Sequence, residues 1–300
     1  MAEDRFIAID GIRMRYWSCG QGEETIVLVH GLGAAADIWT QNIEELAREH
    51  RVIVPDLPGF GKSEIPHPSF LPFQYTDFLA KLIDTTTDGP VTLVGQSLGG
   101  AVVLDYALRY PERTDRLVLI DSAGLGKEVI WTLRLLSLPF LGELLCHPVR
   151  KGVELFFKLA VHNTSAVSEA LVDIFYGYCR RPGFKRFFLG LVRSLINSQG
   201  VRGDILGEIT TNLRKITKPV LIIWGEEDRV LPLKHAYFGA RQLPSATMKV
   251  MSGCGHLPFL ERAEECNRLI LQFIGQGHEG VRGQTIDCDI FQGAQSHEEG

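Results

Sequence analysis

The pentapeptide Gly95-Gln96-Ser97-Leu98-Gly99 places a hydroxyl among small residues, between the apolar run Val91–Val94 and a helical run that begins at Leu98. A serine held on a sharp strand-to-helix turn can attack a carbonyl carbon, provided a base takes its proton. The pattern by itself is common, and its strand–turn–helix setting is what gives it weight. Gly95, Gly99 and Gly100 leave room for a crowded, strained turn. The N–H of Leu98 and the positive end of the helix dipole then sit where a negative oxygen would form.

The best-placed base is His256, in Gly253-Cys254-Gly255-His256-Leu257-Pro258, after the strand-like run Thr247–Met251 and before a last helix expected over about 259–274. His50, His67, His147, His162, His235, His278 and His297 lack such a setting and are expected to be surface or packing residues. An imidazole base needs an acid to fix its tautomer and stabilise its protonated form. Asp228, just past the run Val220–Ile223, is the preferred acid, with Glu226, Glu227 and Asp121 as competitors. A second donor to the oxyanion is expected from the loop His30-Gly31-Leu32-Gly33, with Leu32 N–H ahead of Gly33 N–H and His30 as a brace for the loop. The expected site is thus Ser97, Asp228 and His256 with an oxyanion hole of Leu32 and Leu98. It would transfer an acyl group through a covalent intermediate and calls for no cofactor and no metal.

The elements that position these residues are short apolar runs alternating with helical patterns. Ile26–Val29, Arg51–Val54, Val91–Val94, Leu117–Ile120 and Val220–Ile223 are apolar on both sides, as strands are when helices cover both faces of a parallel sheet. Helices are expected at about 41–49, 75–88 and 98–109. Phe6–Ile9 and Met14–Trp17 flank Asp10-Gly11, a hairpin signal, and start the sheet as antiparallel edge strands. The expected class is therefore α/β, with a mostly parallel central sheet and helices on both faces.

The alternation stops between about 124 and 213, where strand-like runs are absent. That stretch predicts a helical cap inserted after the sixth strand, Leu117–Ile120. Seven of the sixteen phenylalanines lie in it: Phe140, Phe156, Phe157, Phe175, Phe184, Phe187 and Phe188. They suggest either a pocket for an acyl or aryl group or a weld between cap and core. The basic pairs Arg180-Arg181 and Lys185-Arg186 are expected on a solvated outer face. The core then comprises 1–123 and 214–275, the cap 124–213, and 276–300 is expected to be a flexible C-terminal tail.

At 300 residues with 45% hydrophobic side chains, the chain can bury a sizeable core. A net charge of −5 gives no electrostatic reason to expect nucleic acid or an anionic membrane surface as partner. Six scattered cysteines form neither a disulfide framework nor a zinc site and are expected as reduced thiols. The charged N-terminus, Met1–Arg5, lacks an apolar signal-peptide core, and no run of 18 apolar residues occurs, so a cytoplasmic protein without stable membrane association is expected.

Taken together, Val29-His30-Gly31-Leu32-Gly33, Asp56-Leu57-Pro58-Gly59-Phe60-Gly61-Lys62-Ser63, Gly95–Gly100, Gly225–Asp228 and Gly255–Phe259 resemble the α/β-hydrolase superfamily over about residues 5–275. More narrowly, they resemble its capped bacterial branch of carboxylesterases, lipases and C–C bond hydrolases. The resemblance implies the α/β-hydrolase fold and the chain order Ser97, Asp228, His256. Relatives that use an aspartate nucleophile, the dehalogenases and epoxide hydrolases, are set aside by Ser97. The C–C hydrolases of aromatic-ring cleavage products typically carry Asn before the serine and Trp after the histidine; here Gln96 and Leu257 stand at those places. The expected substrate is a small-molecule carboxylic ester with a short- to medium-chain acyl or aryl group. The alternatives are a C–C bond in a vinylogous diketone, a thioester, or a ligand-binding receptor on a hydrolase scaffold. A monomer or homodimer is expected.

Overall fold

The computed structural model describes residues 3–67 and 70–275; the tail expected over 276–300 lies outside the described residues. Asp10 and Gly11 have φ of 49° and 79°, the left-handed pair that lets a two-residue turn follow the twist of its strands. They join β1 (Arg5–Ile9) to β2 (Ile12–Cys19) as an antiparallel pair, and β2 runs antiparallel to β4 (Arg51–Pro55). The other strands of the sheet are β3 (Thr25–Val29), β5 (Val91–Gln96), β6 (Thr114–Ile120), β9 (Val220–Gly225) and β10 (Ala246–Met251), all parallel to β4. The order is β1-β2-β4-β3-β5-β6-β9-β10.

Every residue of β3, β5 and β9 is buried, because helices cover both faces. Alternate residues of β3 serve the two halves of the core. Val27 and Val29 join the side chains of α2 (Gln74–Thr86) and α3 (Leu98–Arg109). Ile26 and Leu28 join those of α1 (Thr40–Leu46) and the C-terminal helix, Ala263–Gly275. The mostly parallel sheet with two covered faces, expected from the apolar runs, is the observed architecture.

Between β6 and β9 the chain forms α4 (Trp131–Ser137), α5 (Leu141–Leu145), α6 (Arg150–Ala160), α7 (Glu169–Cys179), α8 (Phe184–Leu195) and α9 (Gly203–Thr210). One detail departs from an all-helical segment. Two-residue strands β7 (Ile196–Asn197) and β8 (Gly200–Val201) pair antiparallel, with Gly200 at φ +121°. Such a short bridge leaves no periodicity in the sequence to detect. After β9, α10 (Lys234–Gln242) leads to β10. The last helix is divided into α11 (Pro258–Glu261) and α12 (Ala263–Gly275), because Arg262 lies outside the helical region at φ −138° and ψ 59°. Among the described residues no helix is long and apolar enough to cross a membrane, and the five described cysteines are free thiols.

Candidate active site

Ser97 is the first residue after β5 and the cap of α3, with φ 50° and ψ −118°. That conformation is strained for a residue with a side chain, and it persists because the surroundings leave no alternative. A Cβ on Gly99 would lie 2.2 Å from the Val29 carbonyl oxygen, one on Gly95 2.5 Å from the Gly99 oxygen, and one on Gly100 2.0 Å from Ser122 Oγ. Only glycine lets α3 approach β3 and β6 this closely. Leu98 is the first residue of α3, so its N–H has no partner inside the helix.

His256 enters from the loop between β10 and α11. Its Nδ1 lies 2.8 Å from Asp228 Oδ2. The ring therefore carries its proton on Nδ1, donates it to the carboxylate, and keeps Nε2 as an acceptor. The Asp228 side chain is fully buried. Its other oxygen accepts the N–H groups of Val230 and Leu231 at 2.7 and 3.0 Å, which fixes the carboxylate's direction. Among the carboxylates considered for this place, Asp228 is the one bonded to the imidazole.

Ser97 and His256 line one apolar cavity of about 60 Å³, closed by Leu32, Ile38, Leu133, Phe157, Phe175 and Leu257 among others. A second lobe of about 80 Å³ also borders Ser97, bounded by Leu98, Val129, Leu195, Ile205, Ile209 and Leu231. Leu32 borders both lobes, as Ser97 does. The structure thus brings all five expected residues to one place: Ser97 and Leu32 between the lobes, Leu98 at the second, His256 at the first, and Asp228 behind the imidazole.

The loop carrying Leu32 is held by His30, which is fully buried. Its Nε2 accepts the Leu57 N–H at 3.0 Å, and its Nδ1–H donates to the Gly31 carbonyl at 2.8 Å. Burial, with the nearby Arg15 charge adding to it, pulls its pKa down to about 4, so the ring stays neutral at pH 7. The expected bracing role is what the geometry shows. Leu57 belongs to the Asp56–Ser63 loop, whose Asp56 is itself completely buried. The Asp56 carboxylate accepts two bonds from Arg15, at 2.8 and 3.0 Å, and the N–H groups of Ala36 and Lys62 at 2.7 Å each. Two sequence motifs that look unrelated are therefore one buttress under the Leu32 loop.

Two further residues, outside the expected set, tie the site together. Gln96 donates from Nε2 to the His256 carbonyl at 3.2 Å, tying the nucleophile's strand to the histidine loop. Glu261 accepts the N–H of Gly255 at 2.7 Å and those of His162 and Asn163 at 2.8 and 2.7 Å, so it clamps the end of α6 to the same loop. The His256 N–H completes that clamp by donating to the Ala160 carbonyl at 2.6 Å. Their positions near Ser97 and His256 are the only signal in the sequence; Gly255 apart, their partners lie about a hundred residues away or more.

Asp121, weighed as a rival acid, has a different place. It follows β6 with φ 42°, is fully buried, and accepts the Gly225 N–H on Oδ1 at 2.9 Å. Oδ2 has no conventional donor, and the side chain lies within 4.8 Å of both Asp228 and His256. Burial, reinforced by the Asp228 charge, raises its pKa well above the usual carboxylate range. Burial and the neighbouring charge thus favour its protonated form, whose hydroxyl could donate to Asp228. The spacing of the three groups could suit a cation. However, the two Asp228 oxygens already accept two amides and an imidazole N–H, so the donor set fits shared protons better than a metal.

A serine on a strained strand-to-helix turn, sharing a cavity with an Asp-bound histidine at the end of a mostly parallel sheet, defines a class of hydrolytic fold. A family model described as the alpha/beta hydrolase family matches residues 26–269, and the chain belongs to that family. It is 32% identical over 273 residues to the dihydrolipoyllysine-residue acetyltransferase component of the acetoin cleaving system of Cupriavidus necator, spanning 90% of this chain and 69% of that protein. It is 31% identical over 272 residues to a 2-hydroxy-6-oxononadienedioate/2-hydroxy-6-oxononatrienedioate hydrolase of Paraburkholderia phymatum, spanning 88% of this chain and 92% of that one. Among solved structures, a serine hydrolase involved in carbazole degradation is similar with a TM-score of 0.78 at 26% identity, covering 91% of this chain and 99% of that chain.

Proposed function

We propose that this hydrolase cleaves carboxylic esters through an acyl-enzyme on Ser97. The observation that carries the proposal is the His256 Nδ1–Asp228 bond of 2.8 Å behind a cavity that His256 shares with Ser97. In the proposed cycle, Ser97 Oγ bonds to the carbonyl carbon while its proton passes to His256 Nε2. The carbonyl π pair moves onto oxygen, which the Leu32 and Leu98 N–H groups receive. Collapse breaks the C–O bond to the leaving group, and His256 returns the proton to the departing alkoxide. Water repeats the sequence and frees the acid and Ser97. Each oxyanion donor is worth about 3–4 kcal/mol in comparable sites.

The choice of an ester rests on the lining. Among the described residues, no charged side chain apart from His256 borders either lobe at Ser97. The Paraburkholderia relative is named for dioate substrates. A carboxylate a few bonds from the reacting carbonyl would have to be buried here without a cation, at a cost of several kcal/mol. A neutral acyl or aryl ester meets no such cost. The relatives' names favour the second possibility, C–C bond cleavage in a vinylogous diketone.

The test is a panel of p-nitrophenyl esters of graded chain length beside a 2-hydroxy-6-oxo-dienoate. Ester turnover with kcat/KM at least tenfold above that for the dienoate is expected. Dienoate turnover with negligible ester activity would move the assignment to C–C hydrolysis. Inertness of the wild type toward both, indistinguishable from Ser97→Ala, would remove it altogether.

A further inference from the structure

The cations of the helical segment do not all lie on a solvated face. Residues 131–193 carry nine Lys and Arg against four Asp and Glu, in a chain whose net charge is −5. Some of these cations are paired as on any helical surface: Arg150 with Glu169 and Asp173, Lys158 with Glu154. Five others converge on one groove. Arg180, Arg181, Lys185, Arg186 and Arg193 line it with a single carboxylate, Glu143, and that carboxylate is taken by Arg193 at 2.8 Å. Arg181 donates to the carbonyls of Gly61 and Ser63, which holds its guanidinium without neutralising it. Among the described residues neither Arg180 nor Arg186 has an ion-pair partner, and both are exposed. Converging, uncompensated guanidinium groups favour an anion, most of all a carboxylate or phosphate that can accept two parallel bonds.

The groove adjoins the site through shared walls. It shares Pro148, Cys179 and Lys185 with an apolar channel of about 170 Å³ beneath the helices. That channel shares Gly33, Phe156, Phe157 and Phe175 with the cavity of Ser97 and His256. Three adjacent cavities, two of them mainly apolar, therefore line up between the reacting hydroxyl and the cluster of cations.

We propose that this groove binds the anionic end of an elongated ester whose carbonyl lies at Ser97 and whose apolar middle fills the channel. The substrate class is an amphiphile: a neutral scissile ester, an apolar spacer and a terminal anion. This rests on the ester hydrolysis proposed above, and it adds a requirement at a place that takes no part in bond cleavage.

The test compares p-nitrophenyl dodecanoate with the mono-p-nitrophenyl ester of dodecanedioic acid, which differ only at the far end. The wild type is expected to show kcat/KM about tenfold higher for the anionic ester, through KM, corresponding to about 1.4 kcal/mol. The preference should fall as salt rises. Charge reversal in Arg180→Glu/Arg186→Glu should bring the ratio of the two kcat/KM values to one or below. Arg180→Lys/Arg186→Lys should restore most of it, showing that the charge matters rather than the fold. A wild-type ratio of one, or a ratio that charge reversal leaves unchanged, overturns the proposal. If neither ester is turned over, the ester assignment fails and the groove is judged by calorimetry on Ser97→Ala. Tighter binding of the anionic ester, abolished by charge reversal, supports the groove, and equal binding of the two esters overturns it.

Discussion

The C-terminal edge of the sheet and the helices between β6 and β9 are held by different physics. At the sheet edge every important group is fixed by several short polar contacts: Asp228 by two amides and an imidazole, His30 by an amide and a carbonyl, and the Ser97 turn by glycines that admit no Cβ. Over it, α4 to α8 add aromatic contacts, such as Phe157 on Phe175 at 5.2 Å and Phe60 on Phe187 at 5.7 Å, to a few polar ties at their ends. They also carry exposed Trp131, Phe140, Leu144 and Phe156. Directional bonds specify atoms to fractions of an ångström, whereas apolar contacts specify volume. On the proposed reading, the edge carries the reaction and the helices select what reaches it.

Substitutions should separate the two regions by size and by kind. The largest effects belong to the edge: Ser97→Ala and His256→Ala are each expected to lower kcat by about 10⁴-fold or more, and the double variant by little more than either alone. Steady-state kinetics on the three proteins checks this, and additive losses would break the unit.

The next effect is on stability. His30 has its pKa lowered from 6.5 to about 4 by burial, so between these values the unfolded chain binds the extra proton. Its contribution is complete above pH 6.5 and is lost as the pH falls through the window to 4. About 2–3 kcal/mol of stability should disappear through this residue between pH 7 and 4.5. Urea titrations at the two pH values should show the loss in wild type and a smaller loss in His30→Gln.

Asp121 tests the edge more finely. If its proton supports Asp228, Asp121→Ala should lower kcat about tenfold and shift the pH dependence of kcat/KM, while Asp121→Asn, which still donates, restores most of both. A profile unchanged in Asp121→Ala would reduce the residue to its bond with Gly225. The smallest effect belongs to the helices. Phe156 is half-exposed and borders both the Ser97 cavity and the channel. Phe156→Ala should raise KM for long-chain esters a few-fold, about 1 kcal/mol of lost apolar contact, with kcat and Tm nearly unchanged. A large fall in kcat there would erase the distinction between the regions.

The same difference explains what the sequence disclosed. Asp10-Gly11, the glycines around Ser97, and the settings of Asp228 and His256 are local: the backbone conformation each needs is written in its neighbours. The buttress was half visible, since His30 and Asp56 stand in recognisable loops, but the Arg15 that neutralises Asp56 lies on a different strand. Gln96 and Glu261 act on residues far along the chain, and no spacing announces such partners. The basic pairs at 180–181 and 185–186 have the periodicity of a solvated face. Their convergence depends on the turn from α7 into α8, which places one pair opposite the other, and no window of sequence contains that geometry.

The central claim is that Ser97 is a nucleophile made reactive by His256. Labelling with a fluorophosphonate, followed by peptide mapping, measures it directly. One label per chain on Ser97 is expected, formed at least about a hundredfold more slowly in His256→Ala and absent in Ser97→Ala. No labelling of the folded wild type, attachment at another residue, or an undiminished rate in His256→Ala would contradict the account.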